Sequence, residues 1–392
     1  MSTTQITSEA TRDAKTEPAR YGPLTSLAWL HFINDGAANF LPGVLPAILV
    51  AQGRSPALAG TLMFVLLAGQ GLQPVAGLVG RALGGRRLMW IGVVCALIGA
   101  GLVGFADSLA WLLVVLALIG LANACFHPQA LAAARVYAGG RGHFGLAIML
   151  LGGEIGRGLW PLVASAVVAW GSLSSLWVPA LIALATIPLV QRILPAPRIR
   201  TGEWRVRLRG RWRATGRLLA YVVLRGLVVI GATAYLPILW QQLGGGLVVG
   251  AALVTTMLIV GLIGTLYGGH LADQIGRRPV LATAGVMMAV GLALIASGNM
   301  IALWAGAALT GIAAFATFPV TTLEGQDLFP ENMPFGSAIS LGLGNALGAG
   351  LVALIGLLTN VWAVATLFWL FAGVALVTAL LGLMARHSPE GH

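Results

Sequence analysis

His31 and Asp35 stand four residues apart inside an apolar run. In a helix that spacing puts an imidazole and a carboxyl group on one face, where they can accept a proton and pass it on, because imidazole titrates near neutrality. Glu154 and Arg157 lie three apart in another apolar run, again close enough to pair within one helix. Glu154 is a second candidate proton site. Arg157 either holds it ionised or binds an anionic substrate through its planar, multiply donating head. Arg225 has no opposite charge in its own run and is expected to look across to Glu324 or Asp327, to Asp35, or to an anionic substrate. Asn34, His127 and Asn345 complete the polar set as candidate substrate contacts. Each has a plainer reading. Asp35 and Asn34 can simply bond a neighbouring helix, Glu154 and Arg157 can neutralise each other, Arg225 can form a structural salt bridge, and His127 can be packed.

These residues need elements able to hold charge away from water. The chain has 392 residues, 58% hydrophobic and 9% charged, with 54 glycines, which places it among polytopic membrane proteins. Twelve apolar runs of spanning length fall at about 24–50, 57–80, 88–106, 109–137, 143–171, 173–194, 218–243, 247–272, 280–298, 301–328, 336–358 and 361–385. A charge at bilayer depth costs about 2.5–3.5 kcal/mol on insertion scales, so each needs a partner or a wet cavity. Arg81, Arg86, Arg87, Arg141, Arg277 and Arg278 fall on one side with the tail and a central basic segment, while the opposite loops hold only Arg54 and Asp107. That asymmetry makes both termini cytoplasmic. The expected organisation is a cytoplasmic tail (1–23), a six-helix bundle (24–194), a basic linker (195–217), a second bundle (218–386) and a short tail (387–392). The first apolar run is too long for a cleaved leader.

Arginine at every odd position from 205 to 213 gives the linker no helical stripe. It reads as a topology-fixing segment that also meets anionic lipid headgroups, at about 1 kcal/mol per arginine. The basic residues come without an aromatic stacking platform, which argues against nucleic acid. Cys95 and Cys125 both lie inside apolar runs, so neither a disulfide framework nor a zinc site is expected. With no nucleophile elbow, metal-ligand cluster or phosphate loop, no enzymatic activity, metal or cofactor is expected. The partners expected are a small-molecule substrate, protons and lipids, for a monomer in the inner (plasma) membrane.

The chain repeats itself. The polar stretch Gly268–Pro279 has a faded earlier copy at one fixed offset: Gly77 matches Gly269, Gly84 matches Gly276, and Arg86 matches Arg278, while Arg81 stands where the later copy has Asp273. Asp35-Gly-Ala…Phe-Leu-Pro42 aligns with Ile230-Gly-Ala…Tyr-Leu-Pro237, His127-Pro128 with Phe318-Pro319, and Glu154 with Asn345. A six-helix unit is therefore repeated in parallel, since an even helix count starts the second copy on the same side. Gly269 and Gly276 are expected to pack helices 8 and 9 closely, Asp273 to cap or salt-bridge a helix end, and Arg277 and Arg278 to anchor the cytoplasmic face. With Glu324 and Asp327 they form a candidate gate, a latch on the outward-facing state whose second copy is the stronger.

Two parallel six-helix halves, a basic middle linker and this loop resemble the major facilitator superfamily. More narrowly, His31-Phe-Ile-Asn-Asp35, Leu72-Gln-Pro-Val-Ala-Gly77, Phe126-His-Pro128, Gly139-Gly-Arg-Gly-His143 and Gln326-Asp327-Leu-Phe-Pro330 are similar to its fosmidomycin-resistance branch. The resemblance implies an all-α membrane fold of twelve helices, with helices 1, 4, 7 and 10 lining a central cavity. It also implies alternating access and proton-driven export of a small drug, notably an anionic phosphonate. Glu154 and Arg157 depart from that branch. Uptake of an organic anion or metal chelate, or lipid translocation, would use the same machinery.

Overall fold

Backbone amides and carbonyls find no water inside lipid, so an apolar run must satisfy them within itself. In the computed structural model, which describes residues 18–139, 142–195 and 210–385, the chain does this by helix alone, with no strand among the described residues. Twelve helices are long and apolar enough to cross a membrane. They are α1 (Tyr21–Ala51), α2 (Ala57–Gly77), α3 (Gly85–Phe105), α4 (Leu109–Ala138), α5 (Gly145–Trp170), α6 (Leu173–Ile193), α7 (Trp212–Gln242), α8 (Leu247–Ile275), α9 (Arg277–Ala296), α10 (Met300–Leu328), α11 (Phe335–Asn360) and α12 (Val364–Leu383). Both α1 and α7 start ahead of the expected 24 and 218. Apolarity marks only the lipid-crossing part, whereas the helical backbone continues beyond it.

The two halves repeat one arrangement. Gly84 and Gly276, paired by the repeat, both turn the chain with positive φ, 86° and 87°, a region that suits glycine because it lacks a Cβ. Their partners Gly77 and Gly269 each lie against a proline of the helix two further on, Pro128 and Pro319, where an added Cβ would sit 3.6 Å from the ring. Gly269 thus packs α8 on α10, which corrects the expected closeness of α8 to α9. The proline-bearing stretch of α10 faces it, while α9 only begins after the turn at Gly276.

Helices of opposite halves meet along two seams, α2 against α11 and α5 against α8. Gly60 lies on the Val352 carbonyl, and Gly158 lies on Ile259. Away from the basic loops, the later part of α1, Leu41–Ala51, packs on α7 and α8, and the Ser55 hydroxyl donates to Asn360 Oδ1 (3.1 Å). On the basic side α4 and α10 do not pack together. Among the described residues every ion pair stays within one half. Among the described residues the halves are therefore joined at the far end, while at the end that carries the basic loops α4 and α10 stay apart and α2 still touches the start of α11.

Candidate functional site

Helix α1 breaks at Phe40, between segments Tyr21–Asn39 and Leu41–Ala51, where Pro42 removes a ladder donor. Asn39 ends the first segment and sends its side-chain amide back to the Asp35 carbonyl (2.8 Å). Just before this break, α1 presents His31, Asn34 and Asp35. Helix α4 faces them with Asn123 and His127, the latter placed one residue before the in-helix Pro128.

Asp35 is the hub. Its Oδ2 lies 3.2 Å from His31 Nε2 and its Oδ1 3.2 Å from His127 Nε2. Asn34 Nδ2 and Asn123 Nδ2 both donate to Oδ1, at 3.1 and 3.2 Å. The two imidazoles face each other edge to edge, Nε2 to Nε2 at 3.1 Å. Each ring is held from behind by a backbone carbonyl: Met149 O on α5 lies 2.9 Å from His31 Nδ1, and Asn123 O lies 3.0 Å from His127 Nδ1. The carbonyls require both Nδ1 atoms to carry hydrogen, so both Nε2 lone pairs aim at the same small space. His31 is 4% exposed at its side chain, Asp35 15% and His127 16%, so the cluster opens on its α4 side.

Helix α5 can come this close because it is small where it crosses α1. Gly152 and Gly156 lie on the Ala28 and Phe32 carbonyls, and Gly153 lies on the His31 ring. Directly after Gly153, α5 carries Glu154 and, one turn beyond Gly153, Arg157, which form the expected ion pair. The sequence neighbours of that pair conceal its other contact. Arg157 Cζ lies 5.1 Å from the ring centre of Phe315 and 6.0 Å from that of Phe318, both on α10 in the opposite half.

Arg225 on α7 meets the same ring from its own half, with Cζ 4.0 Å from the centre of Phe318. It is fully buried and, against expectation, pairs with no carboxylate among the described residues. Its guanidinium donates to Thr317 Oγ1 (3.4 Å), Thr321 Oγ1 (3.2 Å) and the Ser340 carbonyl (3.1 Å). Ser340 lies in a π-helical turn of α11, Ile339–Leu343, a distortion often found at functional sites. The carboxylates expected for Arg225 are taken by others: Glu324 by Arg217, and Asp327 by Arg277 at 2.6 Å. They sit nearer the basic end of α10, each held by an arginine of its own. The Nε atoms of both Arg157 and Arg225 are buried without an acceptor. Asn345 is half-buried beside Arg225, packed on Gly226 of α7.

The gate residues form clamps inside the second half. Arg277 ties α9 to Asp327 on α10, and Arg278 Nε donates to the Ala385 carbonyl at the end of α12 (2.6 Å). Asp273 is exposed and forms neither ion pair nor hydrogen bond among the described residues. It is not the cap or salt-bridge partner expected, because Arg277 turns to Asp327 instead. The side chains of Arg81, Arg141 and His143, and linker residues 196–209, lie outside the described residues. The linker's end is anchored: one Arg211 nitrogen donates to both Glu331 carboxylate oxygens, at 2.7 and 2.9 Å.

Sequence reasoning found His31, Asp35, Asn34, His127, Glu154, Arg157 and Arg225, but missed Asn123, Phe315, Phe318, Thr317, Thr321 and Ser340. One signal was available for Phe318, which the repeat aligns with His127. The absence of a metal-ligand cluster also needs correction. His31, Asp35 and His127 bring ligand atoms within 4.8 Å of one another, although 96 positions separate the histidines in the chain. Such a cluster has no spacing motif to read.

The sequence matches the Major Facilitator Superfamily over residues 27–252 and 218–392. It is 25% identical over 354 residues to the uncharacterized MFS-type transporter YfnC of Bacillus subtilis (strain 168), covering 85% of this chain and 86% of that one. To the fosmidomycin resistance protein of Escherichia coli (strain K12) it is 25% identical over 367 residues, with 88% and 89% covered. Its fold is similar to the crystal structure of nucleoside transporter NupG, with a TM-score of 0.74 at 13% sequence identity over 92% of this chain and 98% of that one. Twelve apolar helices in two parallel halves, with charge gathered where the halves meet, agree with these matches: the chain is a multi-pass membrane transporter of the secondary type and belongs to the Major Facilitator Superfamily.

Proposed function

We propose that the protein is a proton-coupled exporter of a small anionic or amphiphilic compound, working by alternating access around the space between α1, α4, α7 and α10. The observation that carries this reading is the convergence of Arg157 and Arg225, one from each half, on the ring of Phe318. Two guanidiniums with unfilled Nε donors suit a carboxylate, phosphate or phosphonate, because an arginine head can offer paired donors to such a group. An anion bridging them would hold the two halves to one another. Arg157 already has a carboxylate partner in Glu154, so substrate and Glu154 compete for one guanidinium. Asp35, His31 and His127 supply the proton site, in which a single proton can be shared among a carboxylate and two imidazoles. Glu154, once released from Arg157, is a second place for a proton.

The relative named for fosmidomycin resistance supports export as the direction and a drug-like compound as cargo. The basic loops support a cytoplasmic position for both termini in the plasma (inner) membrane. On that placement the end at which α4 and α10 stay apart faces the cytoplasm, as an exporter collecting its cargo requires. The basic linker supports contact with anionic lipid headgroups, and Arg277 and Arg278 support a bracing role at the cytoplasmic end.

The test is accumulation of a phosphonate drug in cells that express the wild type, Asp35→Asn, Glu154→Gln or Arg225→Gln. Wild-type cells should hold less drug than vector controls, and an uncoupler should erase the difference. The Asp35→Asn cells should resemble vector controls. Arg225→Gln should lose affinity for anionic cargo on the order of 10-fold, the scale of one charge-assisted contact. Equal accumulation in all strains, across a panel of anionic drugs, would overturn the reading.

A further inference from the structure

The cluster of His31, Asp35 and His127 has a geometry that proton transfer alone does not require. Both imidazoles turn Nδ1 to a backbone carbonyl, at 2.9 and 3.0 Å. Both therefore aim an Nε2 lone pair at one point, with the nitrogens 3.1 Å apart. Two lone pairs at that separation repel unless something positive lies between them. Asp35 meets the two nitrogens through different oxygens, Oδ2 at 3.2 Å from His31 Nε2 and Oδ1 at 3.2 Å from His127 Nε2. A four-coordinate ion with bonds of about 2.0–2.1 Å keeps its ligand atoms roughly 3.3 Å apart. The nitrogen–nitrogen separation is thus close to one edge of a coordination tetrahedron, and a carboxylate oxygen supplies a third ligand atom, all three lying within 4.8 Å of one another.

The surroundings match as well. Histidines that hold a metal almost always give the other ring N–H to a carbonyl or carboxylate, which fixes the tautomer. Here both do so. Asn34 and Asn123 brace the carboxylate through Oδ1. Asp35 and His127 are the members with appreciable exposure, 15% and 16%, so the cluster is open on the side of those two residues. Two imidazoles and one carboxylate suit zinc and its first-row neighbours rather than calcium or magnesium, which prefer all-oxygen sites.

We propose that His31, Asp35 and His127 form a three-ligand site for a divalent transition-metal ion, with a fourth position open to the central cavity. Binding displaces whatever proton the imidazoles share, so metal and proton are exclusive occupants. The fourth position takes water or an oxygen of an anionic compound in the cavity. The proposal uses the residues of the proton reading but does not depend on transport, because occupancy can be read directly.

The experiment titrates the purified full-length chain, with any histidine tag removed, with Co2+ and follows the visible absorption that four-coordinate cobalt gives. The expected result is one equivalent bound per chain, displaced by Zn2+, with binding weaker by on the order of 10-fold or more in His127→Ala and in Asp35→Asn. A His127→Cys variant should show a new thiolate-to-cobalt charge-transfer band absent from the wild type, a gain that misfolding cannot imitate. Absence of a four-coordinate spectrum in the wild type would overturn the proposal. So would a spectrum left unchanged by both His127 substitutions, which would place the ion elsewhere, for instance at the exposed His270. Drug export by the wild type together with no cobalt spectrum would remove the metal site and leave the exporter reading standing.

Discussion

Phe318 decides how the second half uses a position that the first half gives to His127. The repeat sets the two residues at equivalent places, each one before a proline, yet their chemistry is opposed. His127 gathers around a carboxylate, and Phe318 collects two guanidiniums. An aromatic face attracts a cation by about 2 kcal/mol or more when the pair is out of water. Phe318→Leu is therefore expected to destabilise the protein by about 0.5–2 kcal/mol and to raise KM for an anionic substrate, while Phe318→Trp keeps both. Thermal melting and transport kinetics on the two variants check this, and equal behaviour of Leu and Trp would refute it. Arg225 shows what one sequence hides. Its own run shows an unpaired cation, and charge logic then points to the nearest acids. The fold supplies two threonine hydroxyls, a carbonyl exposed by a π-turn and a ring, none of which a charge count suggests.

At the scale of the helix, the polar cluster rests on α5 lying against α1 without side chains between them. An added methyl at Gly152 would strike the Ala28 carbonyl, and at Gly156 the Phe32 carbonyl; backbone cannot step aside as a flexible side chain can. Overpacking of this kind costs about 1–3 kcal/mol. Gly152→Ala should lower the melting temperature and disturb His31, whose ring is held by the neighbouring Met149 carbonyl. Gly373→Ala on α12, where a Cβ meets nothing within 4 Å, should be neutral. Melting curves of the two purified variants decide the matter, and a Gly152→Ala protein as stable as the wild type would contradict it. The elements themselves were legible in the sequence, because twenty apolar residues in water have no other use and the matched glycines at 84 and 276 announced the duplication. The ends of α1 and α7 were less so, since a helix that leaves the lipid no longer needs apolar residues. Long-range partners were not legible at all. Asn123 reaches Asp35 and Phe318 reaches Arg157 only because helices distant in sequence are packed side by side.

For the molecule as a whole, duplication has produced two halves that are alike in path and unlike in chemistry. Ile230 occupies the place of Asp35, and Asn345 that of Glu154, so the acid–base groups belong to the first half. The second half contributes Arg225 and its ring. On the proposed function, neither half holds a complete site, and motion of one against the other would change what Arg157 can touch. Arg157 lies against Phe315 and Phe318 of α10, which makes it a contact of the first half with the second.

With no proton bound, the four formal charges of Asp35 and Glu154 against Arg157 and Arg225 cancel. A carrier with a neutral interior feels the membrane voltage only through what it carries. An anion moving out and a proton moving in then displace charge in the same electrical sense, each worth about 2.3 kcal/mol per 100 mV. A cell interior held negative would thus drive both legs of an exchange cycle, even at equal pH on the two sides. In proteoliposomes clamped at equal pH, a potassium diffusion potential, negative on the side from which substrate leaves, should accelerate substrate exit. Indifference to voltage would mean that proton and anion ride together, so that their charges never reach the field.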